Sequence, residues 1–78
     1  MNTPTIHPPV NVMLKETYEG QGATPDDARF IANAKCDAWI EIQHRSGRVI
    51  VDEGRGSVTT KVGPNQYECE ITLTYRVS

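Results

Sequence analysis

Four side chains of the sequence belong to types that bind zinc, and they are the first candidates for chemistry. They are Cys36, Cys69, His7 and His44, and four is the number of ligands that a structural zinc site takes. No two of them stand at the short spacing that is typical of zinc-binding motifs. The sequence therefore predicts no metal site, and it predicts reduced cysteines.

The sequence contains no recognisable set of catalytic residues. Gly54-Arg55-Gly56 lacks the lysine and the following helix of a phosphate-binding loop. The adjacent carboxylates Asp26 and Asp27 directly follow Thr24-Pro25, which is typical of a first helical turn with a capping hydroxyl and favourable negative charge. We therefore expect a non-enzymatic protein with no catalytic residue and no cofactor.

Several remaining side chains are of types that protein–protein interfaces use. Aromatic residues and arginines dominate binding hot spots. The carboxylates at residues 52 and 53 do not indicate a calcium loop, because they lack its further oxygen ligands. Trp39 has an equally good alternative, which is packing under the first strand or under the N-terminal arm. The sequence predicts a partner protein that is bound through Phe30, Trp39, Arg45, Arg48, Asp52, Glu53 and Arg55.

The charge pattern argues against nucleic acid as the partner. Eight Lys and Arg against ten Asp and Glu give a net charge of −2, and the two signs are interspersed over the 78 residues. A duplex-binding surface requires a basic patch, so we expect no direct binding to duplex nucleic acid. Because no apolar segment suits a signal peptide or a membrane span, we expect a cytoplasmic protein without membrane contact. The oligomeric state stays open.

The clearest element in the sequence is a strand over residues 67–77. Apolar and polar residues alternate there without interruption, as they do in a strand with one buried face. Residues 10–18 show a similar pattern and predict a first strand, which ends in a glycine-containing turn at residues 20–22. Residues 1–9 contain three prolines and predict a flexible N-terminal arm, followed by a single domain over residues 10–78.

A helix is predicted to start after Thr24, but its end is ambiguous. It either ends near Asp37, with a hairpin to follow, or continues to Arg45. Residues 38–45 alternate in polarity, and Ser46-Gly47 suits a two-residue turn that pairs the arginines at 45 and 48. In the longer helix Lys35 would interrupt the apolar stripe and Ile40 would lie on the opposite, wet side. The sequence therefore favours a helix over residues 25–37 and the hairpin.

Two more strands are expected at residues 48–52 and 57–62, separated by a glycine-containing break at residues 52–56. The predicted fold is therefore α+β, with one helix packed on an antiparallel sheet in the order β-α-β-β-β-β.

The segment from Ala23 to Ala32, followed by the hairpin around Ser46-Gly47, resembles the strand-helix-hairpin layout of small phage-encoded anti-CRISPR proteins. The likeness covers about half of the chain and rests on layout. It implies a non-enzymatic phage protein that binds and inhibits a host defence complex.

The first strand, the alanine-marked helix from Thr24 and the last strand from Tyr67 are similar to those of dodecin, a flavin-binding protein that assembles into a hollow dodecamer. This resemblance implies an oligomer that binds a small ligand. Dodecins stack flavin on a tryptophan in the strand after the helix. Residues 48–52, the corresponding segment if the helix is long, contain none, so flavin contacts cannot be assigned to any residue.

Overall fold

A computed structural model describes residues 12–78, and the arm predicted for residues 1–9 lies outside them. The described residues form one helix and three strands, in the order β1 (Leu14–Gly22), α1 (Pro25–Arg45), β2 (Ile50–Gly63) and β3 (Gln66–Val77). The strands make one antiparallel sheet in the order β1-β3-β2, and α1 packs against it. The α+β class is confirmed, whereas the predicted order β-α-β-β-β-β is wrong.

The core lies between α1 and the central strand β3, whose predicted alternation is confirmed. The small side chains on α1 allow the helix to approach the sheet closely, so that the inward side chains of β3 are covered. The buried residues of the described chain are Ala28, Ala32, Cys36, Ile50, Cys69, Ile71, Leu73 and Tyr75.

The start of α1 is as predicted. The hydroxyl of Thr24 accepts a hydrogen bond from the backbone N–H of Asp27 at 3.1 Å, and Pro25 occupies the first turn. Both features satisfy or avoid the free N–H groups at a helix start. Within residues 12–78, no helix combines the length and the apolar character that crossing a bilayer requires.

α1 continues to Arg45, so the predicted helix end near Asp37 and the predicted hairpin around Ser46-Gly47 are both wrong. The backbone N–H of Ser46 donates to the Ile42 carbonyl oxygen at 3.1 Å. Gly47 has a φ of 89°, in the left-handed region that glycine adopts after many helices. The residues that suit a hairpin turn therefore end a helix.

Packing removes the two objections to the longer helix. Lys35 lies at the side of the apolar stripe, where its ammonium group donates to the Glu19 carbonyl oxygen at 2.7 Å. Ile40 is half-buried and packs on the cluster that contains Cys36 and Leu73. Contacts with the sheet therefore stabilise a helix whose sequence periodicity is imperfect.

β2 is a single strand, where the sequence predicts two strands and a break at residues 52–56. Its pairing with β3 runs from Ile50 to Gly63, with a shift of register between Asp52 and Gly54. Gly54 has a φ of 147° and donates its N–H to the Asp52 carboxylate at 2.9 Å. These features form a β-bulge, which bends a strand without ending it.

β1 lies further along the chain than the predicted strand at residues 10–18. It pairs with β3 from Leu14 to Gly22, while residues 10 and 11 lie outside the described part of the chain. Gly20, which the sequence assigns to the turn after the strand, lies inside β1 and faces α1. The close approach of the helix, and not a turn, requires glycine there.

Candidate protein-binding surfaces

The Arg55 side chain reaches from the bulged part of β2 to α1. Its guanidinium group donates to the Asp52 carboxylate at 2.9 Å, to the Asn33 amide oxygen at 3.0 Å and to the Asp37 carboxylate at 2.7 Å. The side chain is only 24% exposed. Two of the predicted partner-binding residues, Arg55 and Asp52, are thus joined to each other and to the helix.

Sequence reasoning missed Asn33 and Asp37 as members of this cluster. They lie 22 and 18 positions before Arg55, and only the packing of α1 on β2 brings them together. Their spacing of four on one helix face is the one signal in the sequence that could have paired them.

Two neighbouring groups, the Arg55 guanidinium and the Cys36 thiol, both have a raised pKa. Burial opposes the charge on Arg55, but hydrogen bonds to Asp37 and Asp52 outweigh it, so the pKa of Arg55 lies above its ordinary value. Burial raises the pKa of the Cys36 thiol, and the nearby Arg55 charge partly offsets that effect. Cys36 is therefore a neutral thiol at pH 7 and not an activated nucleophile.

Trp39 lies between two tyrosines at the margin of the core. Its ring centroid is 6.3 Å from that of Tyr18 on β1 and 5.0 Å from that of Tyr75 on β3, the latter pair edge to face. Such pairs stabilise a fold beyond the area they bury. Trp39 is half-buried, so only part of its surface is open to a partner. Burial, with a smaller effect of Glu16, raises the pKa of Tyr18 to about 12.

Phe30 has the opposite environment. It is 74% exposed and lies on the side of α1 that faces away from the buried Ala28 and Ala32. Its neighbour one turn later is the small residue Ala34, which is also exposed and leaves the ring uncovered.

The other predicted partner-binding residues are separated from this ring. Arg45 pairs with Glu41 at 2.6 Å within the last turns of α1, and the Arg48 guanidinium donates to the Gln43 amide oxygen at 3.4 Å. Glu53 binds Arg76 across the β2–β3 pair at 2.6 Å. The predicted set thus divides between the helix end, the bulge, the outer side of α1 and, for Trp39, the margin of the core.

Several exposed apolar residues lie outside the set that the sequence predicts to bind a partner. Val58 on β2 is 68% exposed and pairs with Glu70 on the sheet face that lies away from α1. Ile31 and Ile42 on α1 are 38% and 57% exposed. The spacing of Ile31 and Ile42 could have placed them on one side of a long helix, but the hairpin interpretation separated them.

A half-open cavity of about 330 Å³ lies where the β2–β3 turn approaches the start of α1. Its lining side chains carry no charge and offer amide, phenol and apolar groups. They belong to Gln21, Ala23, Val62, Asn65, Gln66 and Tyr67, beside the backbone of Gly22.

The three possible zinc ligands within the described residues, which are Cys36, Cys69 and His44, lie in separate environments. Cys36 and Cys69 are both fully buried free thiols in different core clusters. His44 accepts a hydrogen bond from the backbone N–H of Ile50 at its Nε2 atom, at 3.2 Å, and His7 lies outside the described residues. Among residues 12–78, no three His, Cys, Asp or Glu side chains are grouped closely enough to share a metal ion.

Comparison with known proteins adds no relative to this description. No family model matches the chain, and neither the curated proteins nor the solved structures contain a significant match.

Proposed function

We propose that this chain is a non-enzymatic module that binds a partner protein, and that Phe30 is the anchor of the contact. The specific form suggested by the layout, with β2–β3 as the hairpin in place of the one predicted around Ser46-Gly47, is a phage-encoded inhibitor of a host defence complex, of the anti-CRISPR type. The supporting observation is the 74% exposure of Phe30, an aromatic ring with no role in the core.

The surroundings of the ring fit an interface anchor. Large aromatic side chains that are exposed in the free protein gain most from burial against a partner. Ala34 leaves space beside the ring. Asp26, one turn earlier, and Arg29, directly before Phe30, form an exposed ion pair at 3.8 Å and supply a polar rim. An apolar centre with a polar rim is the usual arrangement of protein interfaces.

The test is quantitative capture from the native host cell with three matched baits. The wild-type chain, Phe30→Ala and the control Val58→Ala are immobilised at equal density, and the proteins that they recover are compared. A protein retained by the wild type and by Val58→Ala, but lost with Phe30→Ala, is then purified and its affinity is measured by calorimetry.

We expect Phe30→Ala to weaken that affinity about 30-fold, corresponding to a hot spot of about 2 kcal/mol. The fold should be unaffected, because a substitution at an exposed position changes stability by only about 0.5 kcal/mol. Recovery of no partner, or of partners that bind Phe30→Ala equally well, would contradict the proposal.

A second candidate is an oligomeric small-ligand protein in the manner of dodecin. The observation that favours it is the continuation of α1 to Arg45, which aligns β2 with the strand that follows the dodecin helix. β2 carries no tryptophan, and Trp39 on α1 lies between Tyr18 and Tyr75. A ligand of this protein would therefore require contacts other than the dodecin flavin stack.

Light scattering combined with a visible spectrum tests this candidate in one measurement. A multi-subunit mass with a yellow, flavin-like absorbance would support it. A colourless protein with the mass of one chain would remove it.

A further inference from the structure

The two sides of α1 differ in chemistry. On the side toward β2, Asn33 and Asp37 are bound by Arg55. Ile31 and Ile42 remain exposed on the side toward β1. Lys35 identifies this side, because it lies at helical spacing from both isoleucines and donates to the Glu19 carbonyl oxygen on β1. This side of the helix, which is apolar at Ile31 and Ile42 and charged at Lys35, thus lies above the outer edge of the sheet.

That edge is β1. The strand order β1-β3-β2 gives β1 one neighbour, and within the described residues its second edge has no strand beside it. A strand of nine residues (Leu14–Gly22) with no strand beside its outer edge offers backbone donors and acceptors to another strand, and Lys35 already uses one lone pair of the Glu19 carbonyl oxygen. The edge and the apolar helix side form one continuous surface, which we call the β1 surface.

The charges on β1 are complementary to those on the β1 strand of a second copy in antiparallel orientation. In an antiparallel pair centred on Thr17, Lys15 of each copy lies opposite Glu19 of the other. Glu19 needs such a partner, because its neighbour on β3 is Glu70, another exposed carboxylate in direct register. A like-charge pair of this kind is destabilising, and a lysine beside it relieves the repulsion.

We propose that two copies of this chain associate through the β1 surface, with their β1 strands antiparallel and centred on Thr17. The product is a six-stranded sheet with both helices on the same face, and their apolar sides, which carry Ile31 and Ile42, face each other. This contact is isologous, as most dimer interfaces are. It is independent of the partner proposed for Phe30, which lies on a different side of α1.

A charge-exchange series tests the register. Lys15→Glu, Glu19→Lys, the double variant and the control Lys61→Glu are compared by sedimentation equilibrium over a wide concentration range. Lys61 lies on β2, so its reversal matches the change in net charge of Lys15→Glu without touching β1. We expect each single variant at 15 or 19 to weaken dimerisation about tenfold or more, because two attractive pairs become repulsive.

The double variant restores both opposite-charge pairs and should dimerise within about threefold of the wild type, as should the control. A wild-type chain that stays monomeric would overturn the proposal, and so would a double variant no better than the single ones. Because the double variant contains both substitutions, its recovery also excludes misfolding as the cause of the single effects.

Cross-linking gives a second, independent measurement. Thr17→Cys places one new thiol per copy beside the two-fold axis, whereas the native Cys36 and Cys69 are fully buried. A short bis-maleimide should link two copies of this variant through the introduced thiols. It should not link copies of the exposed control Thr60→Cys on β2. Equal cross-linking of both variants would contradict pairing along β1.

Discussion

Gly20 of β1 and Ala32 of α1 are in direct backbone contact. A Cβ atom at Gly20 would lie 2.5 Å from the Ala32 backbone nitrogen and 2.3 Å from the Ala28 carbonyl oxygen. Both obstacles are backbone atoms of the helix, which cannot move aside as a flexible side chain would. Gly20 therefore limits the spacing between α1 and the sheet, as does Gly22, where a Cβ atom would lie 2.8 Å from the Ala28 backbone nitrogen.

Gly20→Ala should consequently destabilise the protein by about 3 kcal/mol or more, at the upper end of the range for overpacking. The measurement is urea unfolding followed by circular dichroism. Gly56→Ala is the matched control, because nothing lies within 4 Å of a Cβ added at Gly56. A loss of stability at Gly20 no larger than that at Gly56 would contradict the close contact.

Arg55→Ala should lower the free energy of unfolding by about 1 kcal/mol. A hydrogen bond to a charged group is worth roughly 1.5–3 kcal/mol, but Asp37 is 66% exposed and solvent reduces its share. Arg45→Ala is the control, since Arg45 and Glu41 are 75% and 64% exposed and such pairs contribute about 0.3–0.5 kcal/mol. Equal losses for the two variants would show that Arg55 does not connect β2 to α1.

The ionisation of Tyr18 should make the folded protein less stable in strong alkali. Its ordinary pKa of 10.0 applies to the unfolded chain, whereas burial raises the folded pKa to about 12. The folded state therefore holds the phenol proton more tightly, and this stabilising effect is complete below pH 10 and is lost as the pH rises toward 12.

Absorbance at the tyrosinate band, titrated for the wild type and for Tyr18→Phe, isolates this group. The difference between the two curves should have its midpoint well above the ordinary pKa of 10.0. A midpoint at the ordinary tyrosine value would show that Tyr18 is solvated.

Both cysteines should be unreactive until the protein unfolds. Cys36 and Cys69 are 0% exposed, and burial raises the pKa of Cys36, which lowers the fraction of the reactive thiolate. Ellman's reagent should label neither thiol within minutes at about pH 7.5, and both at once in urea. Fast labelling of one thiol in the native protein would place that side chain at the surface.

The strand at residues 67–77 and the start of the helix can both be predicted from local sequence. A strand is the regular structure that places strictly alternating apolar residues on one buried side. Thr24-Pro25 satisfies the requirements of a helix start. Both signals are local, so no knowledge of distant residues was needed. The α+β class follows from them.

The end of the helix, in contrast, depends on contacts between elements that are distant in the chain. The local pattern of the segment from Ala38 to Arg45 favours a strand, because its residues alternate in polarity and a longer helix has Lys35 in its apolar stripe. The helix brings Trp39 into contact with distant groups, among them Tyr18 and Tyr75, and such contacts stabilise it. Tertiary contacts of this kind override local preference in short ambiguous segments.

The candidate surfaces show the same division. The sequence selected the residue types, and Phe30 is as exposed as an anchor must be. The sequence could not show that Arg55 is bound by Asp37, or that Ile31 and Ile42 lie above the outer edge of β1. Those relationships depend on the strand order and on the side of α1 that meets the sheet, which are set by packing between elements far apart in the chain.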